Sequence, residues 1–217
     1  MNSDQEQLHH LSEIRNLMER SSKFLSLSGL SGIIAGLIAL LGAGTVFLYP
    51  GSDISFFDSN RYLADRPFLQ GGKDTLFLVA DAIIILVLAI ASGIYFTARK
   101  ARRNKIQVWN STSKRLAVNL FIPLAAGGIF CLALLAYGIF FMVAPATLIF
   151  YGLALVHASK YTLEDVRILG LSEIVTGLAA SFFADYALFF WAFGFGLLHI
   201  LYGTLMYFKY ERNAESV

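Results

Sequence analysis

The sequence predicts an all-α, polytopic membrane protein: a bundle of six transmembrane helices preceded by an amphipathic N-terminal helix. Of its 217 residues, 57% are hydrophobic and only 15% are charged, whereas a soluble domain carries about 25% charged residues. The apolar residues are gathered into runs long enough to cross about 30 Å of hydrocarbon. The lysines and arginines lie mostly between these runs and on one side of the predicted membrane.

The first element is a polar segment at residues 1–23. Leu11, Ile14, Leu17 and Met18 recur in it at spacings of three and four, with charged residues between them. This spacing predicts an amphipathic helix. Such a helix can lie flat in the cytoplasmic interface, or it can pair with another chain.

The predicted transmembrane domain covers residues 24–208, and residues 209–217 form a cytoplasmic tail. Three apolar runs qualify directly as spans, and the long stretch after them must be divided. Pro145 marks one break, the charged cluster from Lys160 to Arg167 a second, and Asp185 a third. The predicted spans are therefore 24–49, 75–97, 117–141, 144–159, 166–184 and 186–208. A four-span protein with a re-entrant hairpin is the alternative, because the fourth span is short and the fifth contains a glutamate.

The orientation follows from the positive charges. Fourteen of the seventeen lysines and arginines fall on the side of the two termini, and the opposite side holds only Arg61, Arg66 and Lys73. Because cytoplasmic loops carry the excess of basic residues, both termini are predicted to be cytoplasmic, in a cytoplasmic (inner) membrane. The basic loop 98–115 dominates this bias, and the outer loop 50–74 is predicted to pack its aromatic rings at the headgroup level or to bind a partner.

Two spans share a short sequence. Residues 29–37 read Gly-Leu-Ser-Gly-Ile-Ile-Ala-Gly-Leu and residues 170–178 read Gly-Leu-Ser-Glu-Ile-Val-Thr-Gly-Leu, with six of nine positions identical. Spans four and six also share a Tyr-Gly pair, so the chain can consist of three hairpin repeats. Small residues let apolar helices approach closely. The predicted helix-packing residues are Gly29, Gly32, Gly36, Gly170 and Gly177.

Ionisable residues inside spans are costly, so each is a candidate functional group. Glu173 lies twelve residues before Asp185 and His199 fourteen after it, so on antiparallel helices their depths differ by only about 3 Å. His157 on span four lies at a comparable depth, and Ser172 and Thr176 flank Glu173. Such a cluster can bind a proton, a divalent metal or a haem, or it can be a hydrogen-bonded pair that fixes helix packing.

Asp81 is a second candidate. It lies about two turns into span two from the outer side and precedes an unbroken apolar run. It can snorkel outward, pair with a basic residue of the outer loop, or take part in cation entry.

The sequence contains no motif that identifies an enzyme class: no phosphate-binding loop, no His-Glu-x-x-His pair and no voltage-sensor arginine series. The leading hypothesis is a non-enzymatic binding, sensing or accessory subunit. Its expected partners are the lipid bilayer and a second copy or another membrane protein, and not nucleic acid. The alternatives are a small proton- or cation-coupled transporter or channel that uses Glu173, His199 and Asp81, and a redox subunit with haem or a divalent metal at His157 and His199.

Overall fold

The computed structural model describes residues 28–49, 73–103 and 109–211, and within these ranges it is all-helical, with no β-strand. The predicted N-terminal helix (1–23), residues 50–72 of the outer loop, residues 104–108 of the basic loop and residues 212–217 of the tail lie outside the described residues. The predictions made for those segments therefore stay predictions.

Six helices follow one another along the described chain, and we number them in that order. Short 3₁₀ turns at Phe140–Met142, Ser159–Tyr161 and Ala184–Tyr186 lie next to the fourth, fifth and sixth helices. The bounds are α1 Gly29–Phe47, α2 Lys73–Arg103, α3 Ser111–Ala136, α4 Val143–Ala158, α5 Asp165–Phe182 and α6 Ala187–Tyr210.

Five of the six helices, α5 being the exception, are long and apolar enough to cross a membrane, α4 together with the 3₁₀ turns on either side of it. The eighteen residues of α5 include Asp165, Arg167 and Glu173. By length and composition, five helices could thus span a membrane. The predicted six-span topology requires in addition that α5 lies in the membrane among the other helices.

The predicted bounds differ most from the structure at α3. The sequence predicts a span at 117–141, whereas the helix covers Ser111–Ala136. The helix begins earlier because Asn110 caps it: its side chain accepts from the Ser113 N–H, and the Ser113 hydroxyl accepts from the Asn110 N–H, both at 2.8 Å. It ends earlier because Gly138 takes a positive φ of 74°. The Gly138 and Ile139 amides then bond back to the carbonyls of Leu135 and Leu134, which closes the helix in a Schellman motif.

Helix α6 is a composite. An α-helical segment (Ala187–Trp191) passes into a π-helical segment (Ala192–Leu198) and back into an α-helix at His199–Tyr210. A π-segment is rare and often lies at a functional site. Here it lies directly before His199, one of the predicted site residues.

The helices form an open ring. Helix α1 packs on α2 and α6, α4 packs on α3 and α5, and α5 also touches α6. The two closest crossings use glycines. A Cβ at Gly29 would collide with the backbone of Gly203, and one at Gly36 would lie 2.6 Å from the Gly196 carbonyl oxygen and 2.7 Å from the Ile200 side chain. The α1–α6 crossing therefore depends on backbone-to-backbone contact.

The α4–α5 crossing repeats this geometry residue for residue. A Cβ at Gly170 would lie 2.7 Å from the Gly152 carbonyl oxygen, and one at Gly177 would lie 2.8 Å from the Ile149 side chain. Gly170 and Gly177 occupy the places of Gly29 and Gly36 in the shared nine-residue sequence, and Gly152 and Ile149 the places of Gly203 and Ile200. The shared sequence is therefore a shared helix-packing surface.

Polar contacts join the helices at the end where α1 begins and α6 finishes. Glu211 accepts from the Gly29 amide at 2.7 Å and from Lys100 at 3.1 Å, so one carboxylate connects α1, α2 and α6. Its negative charge also suits the positive N-terminal end of the α1 dipole. Beside it, Asp165 at the start of α5 accepts from Lys209 at 2.9 Å and from the Tyr210 hydroxyl at 2.5 Å.

We expect the Asp165 contacts to make the fold less stable at acid pH. Burial raises the pKa of the Asp165 carboxyl, but hydrogen bonds from Tyr210 and Lys209 outweigh it and hold the pKa below its usual range. A depressed pKa stabilises the fold fully above the ordinary aspartate pKa of about 4, and the contribution is lost as the pH falls through the folded-state value. Thermal unfolding in detergent from neutral to acid pH should show a fall in melting temperature that Asp165→Asn reduces. Asp185→Asn, at an exposed turn, is the control and should leave the fall intact.

Candidate functional site

Glu173 is the most unusual residue in the described structure. It lies in the middle of α5 with none of its surface exposed, and neither carboxylate oxygen accepts a hydrogen bond from any described residue. The carboxyl group rests against Gly194 of the π-segment, where a Cβ would lie 2.6 Å from Oε2. Gly194 thus makes the space that the buried carboxyl group occupies.

His199 of α6 is the nearest ionisable group. Its Nδ1 lies 3.3 Å from Glu173 Oε1, which is within ion-pair range. The same nitrogen lies 3.1 Å from the Gly194 carbonyl oxygen in hydrogen-bond geometry. A carbonyl only accepts, so Nδ1 carries a hydrogen that points at Gly194 while the carboxylate stands beside it. The predicted Glu173–His199 pairing is therefore seen in the structure as a close pair without a direct hydrogen bond.

Tyr151 of α4 completes the group. Its hydroxyl lies 2.8 Å from His199 Nε2, on the far side of the imidazole ring from Glu173. Phe195 packs against both rings, with centroids 5.1 Å from Tyr151 and 5.9 Å from His199. We call Glu173, His199 and Tyr151 the buried triad. Its members come from three helices, and aromatic side chains shield it.

The buried triad can hold one proton at little electrostatic cost. With that proton on the carboxyl group, Glu173 and His199 are both neutral; with it on the imidazole, the two form an ion pair. Both forms have zero net charge. Loss of the proton leaves a lone carboxylate in an apolar site, which is costly unless water or a cation reaches it.

The other predicted members of the cluster do not reach Glu173. The Ser172 hydroxyl donates to the Ile168 carbonyl at 3.0 Å, and the Thr176 hydroxyl donates to the Ser172 carbonyl at 2.8 Å. Both are back-bonds within α5, which such side chains make readily. Neither hydroxyl therefore donates to Glu173, whose oxygens have no donor among the described residues.

His157 stands apart from the buried triad. It is exposed, whereas His199 is buried. It lies six residues after Tyr151 on α4, or about 240° around the helix, so it faces a different direction. No cluster of three or more His, Cys, Asp and Glu side chains suited to a metal ion occurs among residues 28–49, 73–103 and 109–211. The structure thus does not bring His157 and His199 together as a pair of axial or metal ligands.

Asp81 lies in a separate place. Thr45 of α1 donates to Asp81 Oδ1 at 2.8 Å, and the carboxylate lines an apolar cleft between α2 and α3. The cleft opens in the half of the bundle where α1 ends and α2 begins. It shares no lining residue with the buried triad.

Sequence reasoning missed Tyr151 and Gly194. Tyr151 was noted only as part of a Tyr-Gly pair, because a tyrosine in an apolar helix is ordinary. Gly194 belongs to the run Gly194-Phe-Gly196, whose π-helical geometry no local pattern indicated. Tyr151 could have been found from its depth in the bundle. A buried histidine needs a hydrogen-bond partner for its second ring nitrogen, and a tyrosine at the same depth can supply one.

Comparison with protein-family models, with curated proteins and with solved structures finds no match for this chain.

Proposed function

We propose that the chain is an integral membrane protein of the binding and sensing class, and that the ligand it senses through the buried triad is a proton. Support for a bilayer comes from the outer faces of the helices. Large apolar side chains there are half or more exposed, including Ile83, Ile84 and Val87 on α2 and Phe121 and Ile122 on α3. Exposure of these apolar surfaces to water would be unfavourable, whereas contact with lipid tails is not, because the tails are equally apolar.

The proposed topology has α5 in the membrane as well, with both termini cytoplasmic. One end of the bundle contains the starts of α1 and α5 and the ends of α2 and α6. Four basic residues lie at this end: Lys100, Arg102, Arg103 and Lys209. A basic end of this kind belongs on the cytoplasmic side. The charged start of α5 lies at this same end, and Glu173 is covered by α4 and α6 instead of facing lipid.

One observation carries the proton-sensing proposal: Glu173 is completely buried, and neither of its oxygens accepts a hydrogen bond from a residue that the structure describes. A carboxyl group placed in this way stays neutral overall only by holding a proton or by pairing with a protonated His199. Loss of that proton favours any conformation in which water reaches the site. Packing of α4, α5 and α6 is then linked to the proton, as in other histidine-based switches.

Trp191 offers a direct test. It packs 5.1 Å from Phe195, which covers the buried triad, and Trp109→Phe makes it the single tryptophan of the chain. We expect its fluorescence in liposomes to change with pH along a one-proton transition, and Glu173→Gln to abolish the change because the amide does not titrate. Ser172→Ala should keep it, since Ser172 bonds only within α5. Fluorescence that stays constant with pH in the parent protein, or an unchanged transition in Glu173→Gln, would refute the proposal.

A proton-coupled transporter is the second candidate, and the cleft at Asp81 favours it. A transporter needs a solute site as well as a proton site. The cleft and the buried triad are two separate polar positions in one bundle, and α6 lines both regions through Trp191 and His199. Proton flux in proteoliposomes that a solute drives and Glu173→Gln abolishes would favour transport over sensing. The redox alternative has weaker support, because His157 and His199 lie apart.

A further inference from the structure

The ring of helices is closed by close packing at every junction but one. Glycines bring α6 against α1 and α4 against α5. Within the described residues, α2 and α3 do not pack closely on each other. The gap between them is a cleft of about 470 Å³, within the range of about 300–1,000 Å³ typical of small-molecule sites.

The walls of the cleft are almost entirely apolar. Ile85 and Leu86 of α2 face Leu132 and Leu135 of α3, and aromatic rings of Phe140, Phe141 and Trp191 line the remaining side. Of the described residues that line the cleft, only Asp81 carries a charge. A site built from apolar walls and one charged group is typical of recognition of an amphiphilic small molecule.

The position of Asp81 fixes the charge of that molecule. Thr45, which donates to Oδ1, is two residues from the end of α1, so the carboxylate lies near the outer boundary of the bundle. Among the described residues the printed partner of this carboxylate is the Thr45 hydroxyl, so a simple lipid tail in the cleft would leave it without a cationic partner among them, which is unfavourable in an apolar cleft. Besides the Asp81 carboxylate, the described side-chain oxygens at the cleft are the hydroxyls of Thr45 and Thr147, too few oxygen ligands to hold a small metal cation.

We infer that the cleft between α2 and α3 binds a monovalent organic cation with a bulky apolar body, with its charge at Asp81 and its body among the apolar and aromatic side chains below. The rings of Phe140, Phe141 and Trp191 line the part of the cleft that receives the apolar body. The inference is independent of the proposed proton sensing, because the cleft and the buried triad have no residue in common.

Tetraphenylphosphonium is a suitable probe, and its quenching of Trp191 fluorescence in the Trp109→Phe background reports binding in detergent. We expect saturable binding that Asp81→Asn weakens by about tenfold or more, because the asparagine keeps an acceptor for Thr45 and loses only the charge. Ala82→Phe, which fills the cleft, should weaken binding to a similar degree. Asp185→Asn is the matched control, since Asp185 lies at the outer turn before α6 and outside the cleft, and it should bind like the parent protein.

Tetraphenylborate, an anion of the same shape, separates charge recognition from apolar partition. It should bind at least about tenfold more weakly than tetraphenylphosphonium in the parent protein. Equal binding of the two ions, or unchanged tetraphenylphosphonium binding in Asp81→Asn, would overturn the inference and indicate a site for lipid tails or a partner helix. A melting temperature near that of the parent protein shows that Asp81→Asn and Ala82→Phe are folded; if either is not, Thr45→Val, which removes the hydroxyl beside the carboxylate, should still change the affinity.

Discussion

Gly203→Ala is expected to destabilise the protein by about 1–3 kcal/mol, the usual cost of inserting a methyl group where no space exists. The added Cβ would lie 2.5 Å from the Gly29 carbonyl oxygen and 2.6 Å from the Ile33 amide nitrogen. Both obstacles are backbone atoms of α1, so no side-chain rotation relieves the contact. Helices α1 and α6 must separate, and the other close contacts of that crossing weaken with them.

Chemical or thermal unfolding in detergent measures this effect, and the chain supplies its own control. Gly128 of α3 has no atom within 4 Å of an added Cβ. Gly128→Ala should be neutral or should stabilise by up to about 1 kcal/mol, because alanine is the better helix former. Gly152→Ala, at the equivalent crossing of α4 and α5, should match Gly203→Ala. Equal melting temperatures for Gly203→Ala and Gly128→Ala would show that the glycine crossings do not hold the bundle together.

His199→Leu is expected to have the largest effect of the substitutions considered, a loss of about 3–5 kcal/mol. The substitution removes the only ionisable partner within ion-pair range of Glu173 in the described structure, and it leaves a buried carboxyl group with no donor. The Tyr151 hydroxyl loses its acceptor at the same time.

A double-mutant cycle tests whether the loss comes from the unpaired charge. Glu173→Met together with His199→Leu replaces the pair by apolar side chains of similar size, which often costs little in a buried site. We expect the double variant to be more stable than His199→Leu and to remain about 1–3 kcal/mol less stable than the parent protein, because the Tyr151 hydroxyl is left unpaired. A double variant less stable than His199→Leu would mean that the pair stabilises the fold beyond satisfying its own charge.

The two predictions concern related positions. Glu173 occupies the place that Gly32 holds in the shared nine-residue sequence, and His199 is followed by the Ile200 and Gly203 of the glycine crossing. The equivalent position in α1 is Gly32, which also lies at the helix crossing. A Cβ added to Gly32 would lie 3.1 Å from the Gly203 Cα. In α5 the glutamate turns toward α6 instead. The shared sequence thus packs α1 against a neighbouring helix. In α5 it does the same and also carries a buried acidic residue.

Much of the helix content could be predicted from hydropathy and local punctuation. The breaks predicted near Pro145 and at Asp185 correspond to the α3–α4 and α5–α6 junctions, although Pro145 itself lies in the first turn of α4. The bounds of α3 were missed because the Asn110 capping box lies in a polar stretch and the Gly138 turn lies inside an apolar run. Hydropathy responds to neither feature, since both depend on backbone hydrogen bonds.

The candidate site was predicted only in part. The depths of Glu173 and His199 follow from counting residues along helices, and depth alone brought them together as candidates. The same count also brought in His157, which faces elsewhere, because a depth does not specify direction around a helix. Tyr151 and the π-segment at Ala192–Leu198 were not predicted, since each acquires its role only from neighbours distant in sequence.

The sequence by itself determined that the chain is helical and that its basic residues cluster between the apolar runs on one side. It predicted six spans, of which five correspond to helices long and apolar enough to cross a membrane in the described structure. These properties are local, because each depends on residue type and spacing along one segment. Only the tertiary structure decided which helices cross at glycines, that Glu173 is buried with no hydrogen-bond donor among the described residues, and that a cleft remains between α2 and α3. Those properties depend on how each helix is rotated about its axis, and that rotation is set by contacts between helices far apart in the chain.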